Sequence, residues 1–273
     1  MTNEKILEYR NFTLQYFIHG EGHEIVICLH GHGRSAQDFD FIKKKGLKVI
    51  ALNLFFHGKS EYPEDRIEND PITSKEFKGL FLELLRIENI SDFHLFAFSQ
   101  GGRFTLCTLP YIAKRVKTLT LISPDGMDNN SVYNWSSRQG WARALFRRWE
   151  KDPSRLRHIS TLAHKFGIMR PKVRTFVNQF TSSKKDFLRA SRTWRGFRML
   201  KPDPINIGNV IRKNKIPFVI IMGSYDQVIR PKQAYRFEEK CGLKDVVREI
   251  PNGHNFFKES SINKFIHLLP FLH

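Results

Sequence analysis

A chain of 273 residues with 41% hydrophobic and 26% charged side chains can bury a core of domain size, and its balance is that of an ordinary globular protein rather than a disordered or fibrous one. No apolar run approaches the ~18 residues of a spanning helix, and the charged start Met1-Thr2-Asn3-Glu4-Lys5 lacks the apolar stretch of a secretory leader, so a cytoplasmic location with no transmembrane segment is expected. Cys28, Cys107 and Cys241 are odd in number and widely spaced, which argues against a disulfide framework and a zinc site; no metal and no cofactor is expected.

The net charge of +18 is unevenly spread, with residues 125–205 holding 18 Lys+Arg against 6 Asp+Glu. Such a field attracts anions, whether small substrates, acyl carriers, nucleic acid or anionic lipid, and it also serves solubility.

In chain order, Ile6–Ile18, Gly20-Glu21-Gly22 and Glu24–His30 read as antiparallel strands joined by tight turns. Buried-type strands are expected at Val49–Phe55, Phe93–Phe98, Leu119–Ser123, Phe218–Gly223 and Val246–Ile250. Helices are expected between them at Ser35–Lys44, Ser74–Ile87, Gly101–Lys114, Pro231–Lys240 and Phe257–Leu269. In the second of these, Leu80, Phe81, Leu84 and Leu85 mark one face to be laid on a sheet. The alternation predicts a mostly parallel sheet covered by helices.

The alternation stops after Ser123-Pro124-Asp125-Gly126. The following stretch is helical in pattern and rich in Trp, Phe, Arg and Lys, including Trp135, Trp141, Phe146, Trp149, Phe166, Phe176, Phe180, Phe187, Trp194 and Phe197. It reads as an insertion between the sixth and seventh strands, its aromatics forming mainly its own core with some lining a pocket.

The chemistry concentrates at a few places. Ala97-Phe98-Ser99-Gln100-Gly101 follows an apolar strand and opens a helix, the sequence form of a nucleophile elbow, with alanine where the first glycine of G-x-S-x-G would be. That turn aims the Gln100 N–H at a developing oxyanion. Downstream, Asp226 follows one strand end and His254 another, so a base for Ser99 and an acid to orient the base occur in the order Ser, Asp, His. Asp125 also ends a strand on that edge and is a second option for the acid. The loop His30-Gly31-His32-Gly33-Arg34 brings backbone close to the serine, and the His32 N–H is the expected second oxyanion donor. His30 and His57 are expected to tie loops together rather than act as bases.

These residues together resemble an α/β-hydrolase-fold protein, of the lidded, esterase-like serine-hydrolase type. The resemblance covers residues 1–124 and 206–273 as the hydrolase core, with 125–205 in the place of the helical lid, and it implies a mostly parallel eight-stranded sheet flanked by helices. Asn53-Leu54-Phe55-Phe56-His57-Gly58-Lys59-Ser60 matches the family's D-x-P-G-H-G-x-S segment but departs from it at Asn53 and the Phe pair, so this loop is expected to be shaped differently.

The resemblance implies hydrolysis of a carboxylic ester or related small substrate through an acyl-enzyme on Ser99, with His254 and Asp226. Gly-Gly-Arg after the serine is similar to the family's menaquinone-pathway synthase, which makes Arg103, and with it Arg34, options for binding an anionic substrate. A helix-surface role is the alternative for Arg103. The competing functions are a triad-based C–C hydrolase or lyase on an anionic substrate, a non-catalytic hydrolase-fold ligand-binding protein, and a nucleic-acid or membrane-surface protein driven by the basic insertion. A small-molecule substrate is expected and no nucleic-acid partner, since no nucleic-acid-binding module is evident; the oligomeric state is unspecified.

Overall fold

The computed structural model describes residues 3–128, 137–168, 174, 177–178, 181 and 183–273. Its strands are β1 (Asn3–Tyr9), β2 (Phe12–His19), β3 (Glu24–Leu29), β4 (Leu47–Leu52), β5 (Phe93–Phe98), β6 (Val116–Ile122), β7 (Phe218–Gly223) and β8 (Val247–Ile250). They form an eight-stranded sheet in the order β1-β2-β4-β3-β5-β6-β7-β8. The β1/β2 and β2/β4 pairs are antiparallel and the other five are parallel, the mostly parallel sheet that the alternation predicts; β3, expected to continue the antiparallel run after the Gly20-Glu21-Gly22 turn, instead lies between β4 and β5 and is parallel to both. The described helices are α1 (Arg66–Asn69), α2 (Ser74–Ile87), α3 (Gln100–Ile112), α4 (Gly140–Trp149), α5 (Ser154–Lys165), α6 (Lys184–Gly196), α7 (Pro204–Asn214), α8 (Pro231–Cys241) and α9 (Glu259–Phe265). Among the described residues no helix is long and apolar enough to cross a membrane.

Both faces of the sheet are apolar because helices cover both. On one, Val26, Cys28, Val49, Ala51, Phe96 and Phe98 pack with Phe39, Phe256, Phe265 and Phe271. On the other, Phe93 meets Phe81 of α2, and Phe77 of the same helix meets Phe104 of α3. Helix α2 begins at a capping box in which Thr73 and Glu76 satisfy each other's backbone N–H groups.

Helical elements also differ from expectation, the short α1 among them. The helix expected over Ser35–Lys44 is a single 3-10 turn, Ala36–Phe39: the buried Ala36, Phe39 and Ile42 recur every three residues, a spacing that suits the tighter turn. The C-terminal helix is shorter than Phe257–Leu269: it ends at Phe265 and continues as two 3-10 turns interrupted before Pro270. Helix α7 was unforeseen. Asp203 caps its first turn, accepting from Ile205 and Asn206, and Pro204 stands at its first position. Gly208 obscures its pattern, yet a Cβ there would lie 1.8 Å from the Cys241 carbonyl oxygen, so the glycine is what lets α7 lie against the end of α8.

The chain folds into two compact units, one of Met1–Tyr62, Thr73–Asn129 and Leu200–His273, the other of Pro63–Ile72 and Asn130–Met199. The second is helical and has its own aromatic core: the Phe146 ring lies 4.2 Å from Trp194, 5.7 Å from Trp149 and 6.1 Å from Phe187, centroid to centroid. Trp141 and Phe166 are exposed, whereas Phe197 is buried. Trp135, Phe176 and Phe180 lie outside the described residues.

Electrostatics explain why residues 63–72 join this unit although they precede it in sequence. They bring Glu64 and Glu68 to a strongly basic set of helices. Glu64 pairs with Arg192; Glu68 pairs with Arg143 at 2.5 Å and Arg195 at 3.4 Å; and Arg198 donates to the Ile67 and Glu68 carbonyl oxygens. Burial raises the Glu68 carboxyl pKa, but the Arg143 and Arg195 guanidiniums outweigh it and hold it below the ordinary carboxylate value.

A carboxyl lowered on folding stabilises above its unfolded pKa and loses that contribution as pH falls through its native one. Glu68→Gln is therefore expected to cost about 1–2 kcal/mol at pH 7, discounted for the water that still reaches the pair. The gap to wild type should close below about pH 4, as read by urea unfolding at a series of pH values.

Candidate active site

The parallel strands end in register, which gathers their following loops on one edge. Leu29 pairs with Ala97, Phe98 with Ile122, Ile122 with Ile221, and Gly223 with Ile250. Ser99 follows β5 directly, the His30–Arg34 loop follows β3, Asp226 follows β7 and His254 follows β8.

Ser99 adopts φ +48° and ψ −115°, a strained conformation for a residue with a side chain. The backbone around it is strapped on several sides. The Ser99 N–H donates to the Ile122 carbonyl at 3.0 Å, and the Ser99 carbonyl accepts from Gly102 at 2.9 Å and Asp125 at 2.7 Å. The turn depends on two glycines. A Cβ on Gly101 would stand 2.2 Å from the Leu29 carbonyl oxygen, and one on Gly31 would stand 2.7 Å from the Phe98 ring and 3.0 Å from Ser99 Cβ. Ala97, in place of a glycine, is simply buried.

The structure brings Ser99, His254 and Asp226 together. Ser99 Oγ lies 3.1 Å from His254 Nε2, and His254 Nδ1 lies 2.7 Å from Asp226 Oδ2. The second Asp226 oxygen accepts from the Val228 N–H at 2.8 Å and the Ile229 N–H at 2.9 Å, which fixes the carboxylate plane. Asp226 is 1% exposed, and burial raises its pKa. The hydrogen bond and charge of His254 and the Ile229 N–H outweigh that, so the carboxyl is held below its ordinary value and stays ionised at neutral pH. With a carboxylate at Nδ1, the Nδ1–H tautomer is favoured, and Nε2 is left to accept from the serine hydroxyl.

Several supporting residues carry no sequence signal of their own. Phe98 lies under the imidazole, with ring centroids 5.1 Å apart. Gly223 lets the two loops meet, since a Cβ there would be 2.4 Å from the Asn252 carbonyl oxygen. That carbonyl accepts from the Tyr225 N–H, while the Asn252 side chain accepts from the Ser261 hydroxyl at 2.8 Å and anchors the histidine loop. Asn252-Gly253 reads in sequence only as a turn.

His30 and His57 tie backbone segments together. His30 Nδ1–H donates to the Gly31 carbonyl at 2.7 Å while Nε2 accepts from the Leu54 N–H at 3.0 Å. His57 Nδ1–H donates to the Phe55 carbonyl at 3.0 Å while Nε2 accepts from the Gly33 N–H at 2.9 Å. Asn53 accepts from the Ala36 N–H at 2.8 Å and donates to Gln15 at 2.6 Å, so the amide can serve a donor and an acceptor where a carboxylate could only accept. The loop beyond it is shaped by Phe56 at φ +67° and by Gly58, which abuts the Gln15 and Asn53 amides.

Both arginines singled out from sequence are engaged within the chain. Arg103 is 6% exposed; it makes a two-pronged pair with Asp125 at 2.7 and 2.8 Å and donates to the Leu200 carbonyl at 2.8 Å. It is neither a surface arginine nor open to an anion, and Asp125, so paired, faces Arg103 while Asp226 faces His254. Arg34 makes a like pair with Asp38 at 2.6 and 2.7 Å. The Gln100 N–H, at the first position of α3, has no acceptor among the described residues. His32 occupies the Gly31–Arg34 turn, closed by the Arg34 N–H on the Gly31 carbonyl at 3.2 Å. All three cysteines are buried, and burial pushes the Cys107 thiol up to about 11 and Cys241 up to about 12, values that leave no thiolate nucleophile. Among the described residues no three His, Cys, Asp or Glu side chains gather as a metal site.

A family model described as "alpha/beta hydrolase fold" matches residues 24–261. An uncharacterized hydrolase, YcgS, of Bacillus subtilis (strain 168) is 27% identical over 113 residues, which is 41% of this chain and 38% of that protein's length. Among solved structures, MGS-M2, an alpha/beta hydrolase enzyme from a Medee basin deep-sea metagenome library, aligns with TM-score 0.69 at 17% identity, over 98% of this chain and 97% of its own. A structure from work on carboxylesterases of the thaumarchaeon Nitrososphaera gargenis aligns with TM-score 0.62 at 16% identity, over 98% and 97%.

The glycine contacts give a direct test of the site's packing. Gly31→Ala is expected to cost about 1–3 kcal/mol by forcing the loop off Phe98 and Ser99. Gly253→Ala, next to the histidine but with nothing within 4 Å of the new Cβ, should stay within about 0.5 kcal/mol of wild type in the same unfolding assay.

Proposed function

The chain belongs to the α/β-hydrolase fold family, and from that premise we propose that it is a serine hydrolase acting on a carboxylic ester or related small substrate through an acyl-enzyme on Ser99. The observation that carries this reading is the continuous hydrogen-bonded line Ser99–His254–Asp226, with an ionised carboxylate at its buried end.

In this mechanism Ser99 Oγ attacks the substrate carbonyl as His254 Nε2 takes its proton. Asp226 holds the ring and offsets the imidazolium charge, and the Gln100 and His32 N–H groups receive the oxyanion. The imidazolium then protonates the leaving alcohol, and the acyl group remains on Ser99 Oγ. A water, deprotonated by His254, attacks that acyl group; the acid leaves and the proton returns to Ser99. The helical unit is proposed as the lid that selects the substrate, which accords with its insertion after β6, whose end adjoins the nucleophile. The reading as a lyase on an anionic substrate has less support, because Arg103 and Arg34 are each held by a carboxylate of the chain.

Ser99→Ala and His254→Ala are each expected to lower kcat on an aryl acetate by at least about 10,000-fold, with the unfolding midpoint little changed. Asp226→Asn should lose about 100- to 10,000-fold, because the amide presents a donor to Nδ1 and favours the wrong tautomer. A Ser99→Ala enzyme with wild-type turnover would contradict the assignment.

A further inference from the structure

Helix α5 turns an apolar stripe to solvent. Ile159, Leu162 and Phe166 recur at helical spacing and are 50%, 55% and 73% exposed, while Ser160 on the opposite side is fully buried. The helix end is fixed by a Schellman turn, in which Gly167 donates to His164 and Ile168 donates to Ala163, both through the backbone. In such a turn the residue after the glycine normally tucks its side chain against the helix. Here Ile168 stays 81% exposed, so a further large apolar side chain faces solvent at the end of the helix.

Cations accompany it. Arg155 lies one turn before Ile159 on the same line, its ion pair among the described residues being with exposed Asp152, and exposed Lys165 flanks the stripe beside the imidazole of exposed His158. Residues 130–199 carry 17 Lys+Arg against 3 Asp+Glu, so the stripe sits in a strongly positive field even after Glu64 and Glu68 are counted. A large exposed apolar face normally invites self-association; a cationic one repels its own copies and favours an anionic partner.

We propose that this face of α5 is a docking surface for anionic lipid bilayers. An interfacial helix of this kind places its apolar side about 5–10 Å into the headgroup boundary while its basic flanks meet the lipid phosphates. The proposal concerns where the protein resides and is independent of the chemistry assigned to Ser99.

The test is co-sedimentation of the full chain with vesicles of phosphatidylcholine alone and of phosphatidylcholine with about one third phosphatidylglycerol. Wild type is expected to partition at least about tenfold more strongly onto the anionic vesicles, and less so as salt is raised. Leu162→Ser with Phe166→Ser, and separately His158→Glu with Lys165→Glu, should each weaken that partition by about tenfold. These positions are exposed, so circular dichroism and the unfolding midpoint should be unchanged. Failure of wild type to bind, equal binding to both vesicle types, or binding that neither double variant weakens would overturn the proposal. So would retention on an acidic protein or heparin with no partition onto vesicles.

Discussion

The geometry of the site rests on the backbone of Ser99, held at a positive φ that a side chain tolerates at a cost of about 1–3 kcal/mol. Nothing local to serine favours that conformation. It persists because its own N–H and C=O are bonded to Ile122, Gly102 and Asp125, and because Gly31 and Gly101 remove the side chains that would otherwise fill the space around it. The same turn sets the hydroxyl on the imidazole and starts α3 with a Gln100 N–H that has no acceptor among the described residues. The strain and the placement of the hydroxyl thus have one source.

The division of labour among the histidines follows from what lies at each Nδ1. His30 and His57 donate there to backbone carbonyls and accept at Nε2 from backbone amides, so both nitrogens are engaged by main chain and the rings serve as fixed struts. His254 faces a carboxylate that burial would neutralise, were it not for the imidazole and two backbone N–H groups that keep it charged. An imidazolium forming beside that charge is stabilised, whereas one forming at His30 or His57 would lose an acceptor to the backbone. Similar reasoning explains Arg103. A guanidinium buried near Ser99 could attract a substrate carboxylate, but it binds Asp125 and the Leu200 carbonyl, tying the loop that leaves β6 to the chain where it returns.

Much of this was legible from residue order. The alternation of apolar strands and amphipathic helices gives the sheet, and Ser99, Asp226 and His254 follow strand ends that parallel pairing places on one edge. What escaped are features set by contact rather than by pattern. Helix α7 was hidden by Gly208, which is there for a neighbour's backbone. The turn at Ala36–Phe39 depends on a spacing too short to distinguish one turn from a helix. Residues 63–72 join the helical unit through Glu64 and Glu68, whose partners lie far along the chain. Whether Arg103 was a surface or a site arginine could not be read without knowing that Asp125 folds back to meet it.

The central claim is that Ser99 is a nucleophile activated by the folded arrangement. The most direct test is intact-protein and peptide mass spectrometry after brief exposure to a fluorophosphonate. The account predicts one adduct per chain, located on Ser99, and none on protein unfolded in urea before exposure. A folded protein that stays unlabelled, or one labelled at another residue, would contradict it.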